Sequence, residues 1–179
     1  MSECEYLYQP SDEILDLVDN SDKVIGQASR SEIYRLGLNN YRVVNAFLVN
    51  DKGLLWIPRR SPNKRIFPLC LDMSVGGHVV SEENYDDAFR RELLEELNIH
   101  LDTVNWHHLG YLTPHQHGVS AFMQVYEIKS NQVPKYNSED FVGYIWASPL
   151  EVVQLIENGE RSKDDLPKLI KKFYPCKEP

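Results

Sequence analysis

A short acidic segment, residues 77–99, carries the side chains best suited to chemistry. Three of its glutamates, Glu92, Glu95 and Glu96, fall within a fan of about 100° if the segment is a helix turning by roughly 100° per residue. Like charges this close repel one another and weaken an isolated helix. A hard divalent cation reverses that effect, because Mg²⁺ prefers carboxylate oxygens and leaves coordination positions for phosphate groups. The spacing therefore indicates a divalent-metal site.

The helix that presents these glutamates is predicted to begin at Asn84. Residue types favour that start, because asparagine is a good N-cap, and aspartates in the first turn interact favourably with the positive end of the helix dipole. The apolar residues recur at spacings of three and four, which is typical of an amphipathic helix. They are Ala88, Phe89, Leu93, Leu94 and Leu97. Most acidic helix faces are solvated surface, so helical geometry alone leaves that alternative open.

The longer spacing pattern decides in favour of the metal site. In order, the pattern is Gly77, five residues, Glu83, seven residues, Arg91-Glu92-Leu93, one residue, Glu95-Glu96, two residues and Ile99. This segment resembles the MutT-like signature, or box, of the Nudix hydrolase superfamily at every position but one. The exception is Asn98, where the signature has glycine. Asparagine is the next-best residue for a left-handed helix C-cap, so we expect the helix to end normally.

The resemblance implies a set of metal ligands. In the family, the box glutamates commonly bind the ion together with the backbone carbonyl of the residue before the box glycine. By that likeness the ligands here are Gly76, through its carbonyl oxygen, and Glu92, Glu95 and Glu96. The expected ion is Mg²⁺, with Mn²⁺ as the alternative.

The resemblance also implies catalytic roles within the box. Glu92 or Glu96 is expected to take a proton from the attacking water, and the sequence does not decide between them. Arg91 is expected to hold the glutamates in place through a bidentate salt link rather than to contact substrate. Glu83 is expected to bind the metal indirectly or to accept a hydrogen bond from a metal-bound water.

A dense basic cluster lies upstream of the acidic box. Its members are Arg59, Arg60, Lys64 and Arg65. Charged runs of this kind are often solvated loops, and they also suit the binding of substrate phosphates. The sequence favours neither interpretation over the other, and we retain all four residues as candidate substrate-binding residues.

Beyond the box, residues 13–150 are similar to the branch of the superfamily that includes isopentenyl diphosphate isomerases. The likeness is carried by Asn50-Asp51-Lys52-Gly53, Arg59-Arg60, Phe67-Pro68 and Ser74-Val75-Gly76-Gly77-His78. The isomerases need a cysteine just before the Gly-His pair, and this chain has Gly76 there. Cys70 lies six residues too early to be an obvious substitute.

Other isomerase groups are also missing. Counted without gaps, the metal histidines of the isomerases fall on Tyr34 and Tyr41, and their two functional glutamates fall near Ser120 and Phe122. Of that set only His78 is present. A double-bond shift needs an acid and a base. Hydrolysis is therefore favoured, with an isomerase-like enzyme as the alternative.

The expected reaction is metal-dependent cleavage of a diphosphate bond, by water attack on phosphorus, in a nucleoside diphosphate or related nucleotide. Four aromatic residues are candidates to stack on a base, although aromatic residues on strands are more often core. They are Tyr41, Phe47, Trp56 and Phe122. A non-catalytic nucleotide-binding module is a further alternative. Such modules are expected to lose box acids, and this chain keeps all four.

Composition favours one soluble domain at 13–179 after a loose leader at 1–12. The net charge of −8 argues against nucleic acid as the partner. No stretch reaches membrane-spanning length.

The cysteines lack zinc-site spacing and are expected to be free thiols in the cytoplasm. They are Cys4, Cys70 and Cys176. A monomer and a homodimer both remain open.

Periodicity and turn residues predict alternating strands and helices. The strands are expected at 6–8, 14–18, 24–28, 42–49, 54–57, 104–112, 118–128 and 141–147. The helices are expected at 31–36, at the box, at 149–156 and at 166–174, with a loop at 114–118. The fold class is therefore α/β. It fits the Nudix-type α/β/α sandwich that the resemblance implies, with a mixed central sheet and a loop-helix-loop box.

Overall fold

A computed structural model describes residues 12–175, which contain two sheets and five helices. The strands are β1 (Ile14–Val18), β2 (Val24–Ser29), β3 (Arg42–Val49), β4 (Leu55–Arg60), β5 (Val75–His78), β6 (Asn105–Leu112), β7 (Phe122–Lys129) and β8 (Phe141–Ala147). The helices are α1 (Arg30–Leu36), α2 (Tyr85–Leu97), α3 (Pro114–His117), α4 (Pro149–Glu157) and α5 (Leu166–Phe173).

The larger sheet is mixed, as the sequence predicted. Its strand order is β6-β7-β3-β4-β8, and β5 also pairs with β3. Strand β3 runs parallel to β7 and antiparallel to both β4 and β5. The two antiparallel partners divide the length of β3 between them, because β5 pairs with Val43 to Ala46 and β4 pairs with Leu48 and Val49. This arrangement places β5, which begins the box, at the centre of the molecule.

Helices cover both faces of this sheet and give the three-layer architecture. Alternate residues of β3 point to opposite faces. On one face Val44 and Leu48 lie in a core with the apolar stripe of α2. On the other face Phe47 lies in a core with residues of α4 and α5. Phe89 of α2 stacks on Tyr126 of β7 with ring centroids 4.1 Å apart, so α2 is fixed firmly against the sheet. The α/β/α sandwich is confirmed.

The box helix begins and ends as its sequence predicts. The side chain of Asn84 accepts the backbone N–H of Asp87 at its start, and Asn98 adopts the left-handed conformation, with φ of 54°, at its end. Asparagine thus replaces the signature glycine without loss of the cap. One apolar residue departs from the expected stripe, because Leu94 lies on the outer side of the helix and is 40% exposed.

Two other elements differ from the sequence prediction by more than one residue at a boundary. The strand expected at 118–128 begins only at Phe122, because Pro114–His117 form a helical turn that Gly118 closes with φ of 65°. The strand expected at 54–57 continues to Arg60, where it still pairs with Phe141 of β8.

Some expectations fall on residues 1–11 and 176–179, which lie outside the described part of the chain. They include most of the leader at 1–12, the strand at 6–8, Cys4 and Cys176. Within the described part Cys70 is a buried free thiol. None of the helices there has the length and apolar character needed to cross a membrane.

Candidate active site

The structure brings the box glutamates against strand β5 through a glycine. Helix α2 packs on β5, so the carboxylate of Glu92 lies directly over the backbone of Gly77. A Cβ atom at Gly77 would lie only 1.9 Å from Cδ of Glu92, a separation that no side chain tolerates. Glycine at this position therefore lets a carboxylate rest on the backbone of the neighbouring strand.

A single guanidinium group organises the acidic side chains. Arg91 donates from Nε and Nη2 to the two carboxylate oxygens of Glu83, both at 2.9 Å, in the bidentate geometry that the sequence led us to expect. Its Nη1 donates to Glu92 at 2.6 Å and to Glu95 at 3.3 Å. Nη2 also donates to the carbonyl of His78 at 2.9 Å, which ties the group to β5. The hydrogen bonds from Arg91 to Glu83 are the largest cause of a raised pKa for Arg91.

Two of the glutamates are buried side by side. Burial raises the pKa of Glu92 to about 7, although the adjacent Arg91 charge opposes the rise. Burial and the charge of Glu92 raise the pKa of Glu96 well above its ordinary value, against the effect of the Gly76 N–H, which donates to Glu96 Oε2 at 3.0 Å. Ionising both carboxyl groups therefore costs free energy that a cation between them would offset. Glu95 lies at the rim with 58% of its side chain exposed.

The donor set fits a hard divalent cation by its chemistry, since Glu92, Glu95 and Glu96 contribute carboxylate oxygens and Gly76 contributes a carbonyl oxygen. Within residues 12–175 no three acidic, histidine or cysteine side chains already converge as a ligand cluster. The reason is visible in the hydrogen bonds: Arg91 bridges Glu92 and Glu95, while Glu96 is turned towards a backbone N–H. Binding a cation requires these carboxylates to exchange those partners for the ion.

A cavity of about 680 Å³ opens over the buried glutamates. Its size is within the range of small-molecule sites. Its walls come mainly from the β1–α1 region, β3, the basic loop, the box and the connection before α5, and Met73, Ser120 and Asp140 complete them. Apart from the box, its charged lining residues are Glu13, Arg30, Arg60, Lys64, Arg65, Asp140, Lys163 and Asp165.

The basic cluster divides at the end of β4. Arg60, Lys64 and Arg65 line the cavity, whereas Arg59 is not among the lining residues. Successive residues of a strand point to opposite faces. The guanidinium of Arg59 accordingly turns away and donates to Glu160 at 3.0 Å. Lys64 is paired with Asp140 on the cavity wall.

Comparison with known proteins assigns the family. The model of the NUDIX domain matches residues 39–169, which is most of the chain. The chain belongs to the Nudix family. An uncharacterised Nudix hydrolase from Nostoc is 59% identical over 162 residues, covering 90% of this chain and 96% of the relative. The crystal structure of DR0079 from Deinococcus radiodurans superposes with a TM-score of 0.87 at 46% identity, covering 90% of this chain and 99% of the other. This Nudix protein is therefore an enzyme of the hydrolase family, whose members cleave pyrophosphate bonds, generally with a divalent metal ion.

Sequence identity to the isomerases is lower than identity to the Nudix hydrolases. An isopentenyl-diphosphate Delta-isomerase from Paenarthrobacter aurescens is 25% identical over 150 residues, 82% of each chain. Of the isomerase positions, Tyr34, Tyr41 and His78 do lie together in this Nudix fold. The hydroxyl of Tyr34 bonds to His78 Nε2 at 2.7 Å, and Nδ1 of His78 faces Glu13 at 3.2 Å. Burial lowers the pKa of His78, so the ring is held neutral between these two partners.

The remaining aromatic candidates belong to the core of the Nudix domain. Phe47, Trp56 and Phe122 are buried and are not among the cavity residues. Tyr41 does line the cavity, with its ring 6.2 Å from that of Tyr34. Cys70, the thiol nearest in sequence to the isomerase position, is buried and also absent from the lining.

Several residues that line the cavity were not predicted from the sequence. Lys163 and Asp165 lie between α4 and α5, more than sixty residues after the box. Glu13 and Arg30 come from the other end of the chain. No local motif marks any of them, because only the tertiary fold brings these segments to the Nudix box.

Proposed function

We propose that this Nudix hydrolase cleaves the diphosphate bond of a nucleoside diphosphate or a related nucleotide, with Mg²⁺, by attack of water on phosphorus. The observation that carries the proposal is the buried pair Glu92 and Glu96 in a cavity whose charged lining residues outside the box are five cationic and three acidic side chains. Two adjacent buried carboxylates call for a cation, and an excess of cationic side chains outside the box suits an anionic substrate.

The box residues take the following roles in this proposal. Glu92, Glu95 and Glu96, with the carbonyl of Gly76, hold the ion. A bound Mg²⁺ would neutralise charge on the phosphates and acidify a water molecule, and Mn²⁺ would serve as the alternative ion. Glu92 and Glu96 are the candidates to accept a proton from the attacking water, because a raised pKa suits a general base near neutral pH. Glu83 anchors Arg91, and Arg91 in turn holds the carboxylates of Glu92 and Glu95 in position.

The residues that line the cavity suit a substrate that contains both phosphate groups and the ring of a nucleoside. Arg60, Lys64 and Arg65 offer positive charge for phosphate oxygens. Tyr34 and Tyr41 also line the cavity, and their aromatic surface suits a nucleoside. Arg59 is left out of the proposed substrate contacts because it is not among the lining residues and turns towards Glu160. The acidic net charge and the free thiol of Cys70 support a small-molecule enzyme of the cytoplasm.

A substrate panel tests this proposal. The full chain with Mg²⁺ is incubated separately with nucleoside diphosphates, nucleoside triphosphates, nucleotide sugars, dinucleotides, inorganic pyrophosphate and isopentenyl diphosphate. Phosphorus NMR in ¹⁸O-labelled water then identifies the products and the phosphorus that receives the new oxygen. We expect a nucleotide to be hydrolysed with ¹⁸O on one phosphate. Conversion of isopentenyl diphosphate to its allylic isomer, or no turnover of any diphosphate, would contradict the proposal.

A further inference from the structure

Two cationic residues that line the cavity, Arg30 and Lys163, lie outside both the acidic box and the basic cluster. Arg30 pairs with Glu13. Lys163 lies in the connection between α4 and α5, and its side chain is three-quarters buried. We propose that the Lys163 ammonium group binds a phosphate oxygen of the substrate and is a specificity-determining residue for diphosphates. The inference rests on the proposed function, since it concerns the same cavity.

The backbone around Lys163 is anchored next to the site. The Lys163 N–H donates to the carbonyl of Leu71 at 2.9 Å, and the Leu71 N–H donates to the carbonyl of Arg161 at 2.8 Å. Leu71 is buried, and Ser162 forms a parallel bridge with it. A lysine in a free surface loop would lose side-chain and backbone entropy on binding a ligand. Here the backbone is already fixed, so most of that cost is absent.

A buried aspartate directs the ammonium group into the cavity. Nζ of Lys163 lies 3.2 Å from Oδ1 of Asp72, while Arg60 Nη1 lies 2.5 Å from Oδ2 of the same carboxylate. Asp72 is almost completely buried, at 3% exposed. One negative charge therefore holds two cations that both line the cavity, so this cluster of three side chains carries a net charge of +1. Arg60 alone would neutralise Asp72, so the second cation is available for an anion.

The ammonium group of Lys163 lies beside the backbone at the start of the Nudix box. A Cβ atom built on Gly76 would be 3.6 Å from Nζ of Lys163, so the ammonium group is close to the backbone that carries the proposed metal ligand. An ammonium group has three N–H donors. The ion pair with Asp72 engages at most one of them, which leaves at least two for phosphate oxygens. The geometry therefore suits a phosphate held between Lys163 and an ion on the box.

Binding of two probes tests this role without relying on turnover. Calorimetry with Mg²⁺ measures the Kd of α,β-methylene-ADP, which resists hydrolysis, and of inorganic pyrophosphate. The variants are Lys163→Met, Lys163→Gln and the charge-preserving Lys163→Arg. Lys171→Met is the matched control, because Lys171 pairs with Glu157 on the surface of α5. Thermal unfolding of every variant is measured alongside.

We expect Lys163→Met and Lys163→Gln to raise both Kd values by about 10- to 100-fold, the range for losing one charge-assisted hydrogen bond. Lys163→Arg should recover most of the affinity, and Lys171→Met should bind as the parent does. A purely structural role would lower the unfolding temperature of Lys163→Met and leave its Kd unchanged, and that result would overturn the inference while the proposed function stands. If the parent binds neither probe and hydrolyses no diphosphate, the proposed function fails and this inference fails with it.

Discussion

Substitution of Gly77 tests whether the contact between strand β5 and the box helix positions Glu92 for its proposed catalytic role. In Gly77→Ala the new methyl group would lie 1.9 Å from both Cδ and Oε1 of Glu92. The backbone of β5 cannot retreat, because it pairs with β3 from Val43 to Ala46. The Glu92 side chain must therefore move by more than 1 Å and lose its 2.6 Å hydrogen bond from Arg91.

The size of the effect follows from that displacement. A misplacement of about 1 Å in an active site costs roughly 100-fold in rate, which corresponds to about 2.7 kcal/mol of activation free energy. Overpacking by one methyl group costs about 1–3 kcal/mol of folding stability, so most of the protein should remain folded. We therefore expect kcat to fall by about 100-fold, with a smaller change in KM.

A graded series of glycine variants supplies the controls. Gly143→Ala should behave as the parent, because nothing lies within 4 Å of a Cβ built there. Gly76→Ala should be intermediate, since its Cβ would meet Oδ1 of Asn45 at 3.0 Å. The assay measures kcat and KM with Mg²⁺ on the fastest substrate of the panel, and urea unfolding measures stability. The reasoning is refuted if folded Gly77→Ala retains the kcat of the parent.

Three further predictions concern charged groups. Glu95→Gln should lower kcat sharply and leave the circular dichroism spectrum unchanged, because this side chain is more than half exposed and packs little. Arg91→Lys keeps the charge but loses the two-pronged contact with Glu83, and steady-state kinetics should show a loss of about 10- to 100-fold in kcat/KM. Contact with His78 lowers the pKa of Glu13 to about 2, so the stabilisation that this carboxylate provides is complete above its ordinary pKa of 4.5 and is lost as the pH falls towards 2. Unfolding temperatures of Glu13→Gln and the parent should therefore differ most above pH 5 and converge on acidification, and a gap that widens towards pH 3 would contradict this assignment.

The parts of the structure that local sequence determines were predictable. Helix α2 carries its own start and stop signals in Asn84 and Asn98, and its apolar stripe, apart from Leu94, faces the sheet as the spacing predicted. The bidentate contact between Arg91 and Glu83 also follows from residues that lie within one motif. In each case the interacting groups are close in the chain, so their geometry depends on little else.

The parts that depend on long-range packing were not predictable. Arg59 and Arg60 are neighbours in a basic cluster, and only the register of β4 shows that one faces the cavity and the other pairs with Glu160. Lys163 reaches the cavity because residues 161–163 dock on Leu71, a contact that no spacing rule contains. The same holds for the buried pair Glu92 and Glu96, whose raised pKa values depend on how deeply the helix packs against β5.

The central claim is that Glu92, Glu95 and Glu96 hold a divalent ion against the diphosphate. Anomalous X-ray scattering from Mn²⁺, in crystals grown with α,β-methylene-ADP, tests it most directly. The account predicts an ion bound by these carboxylates and the carbonyl of Gly76, with phosphate oxygens completing its coordination. The claim is contradicted if, in an enzyme that turns over its substrate, Mn²⁺ lies elsewhere while Arg91 still bridges Glu92 and Glu95.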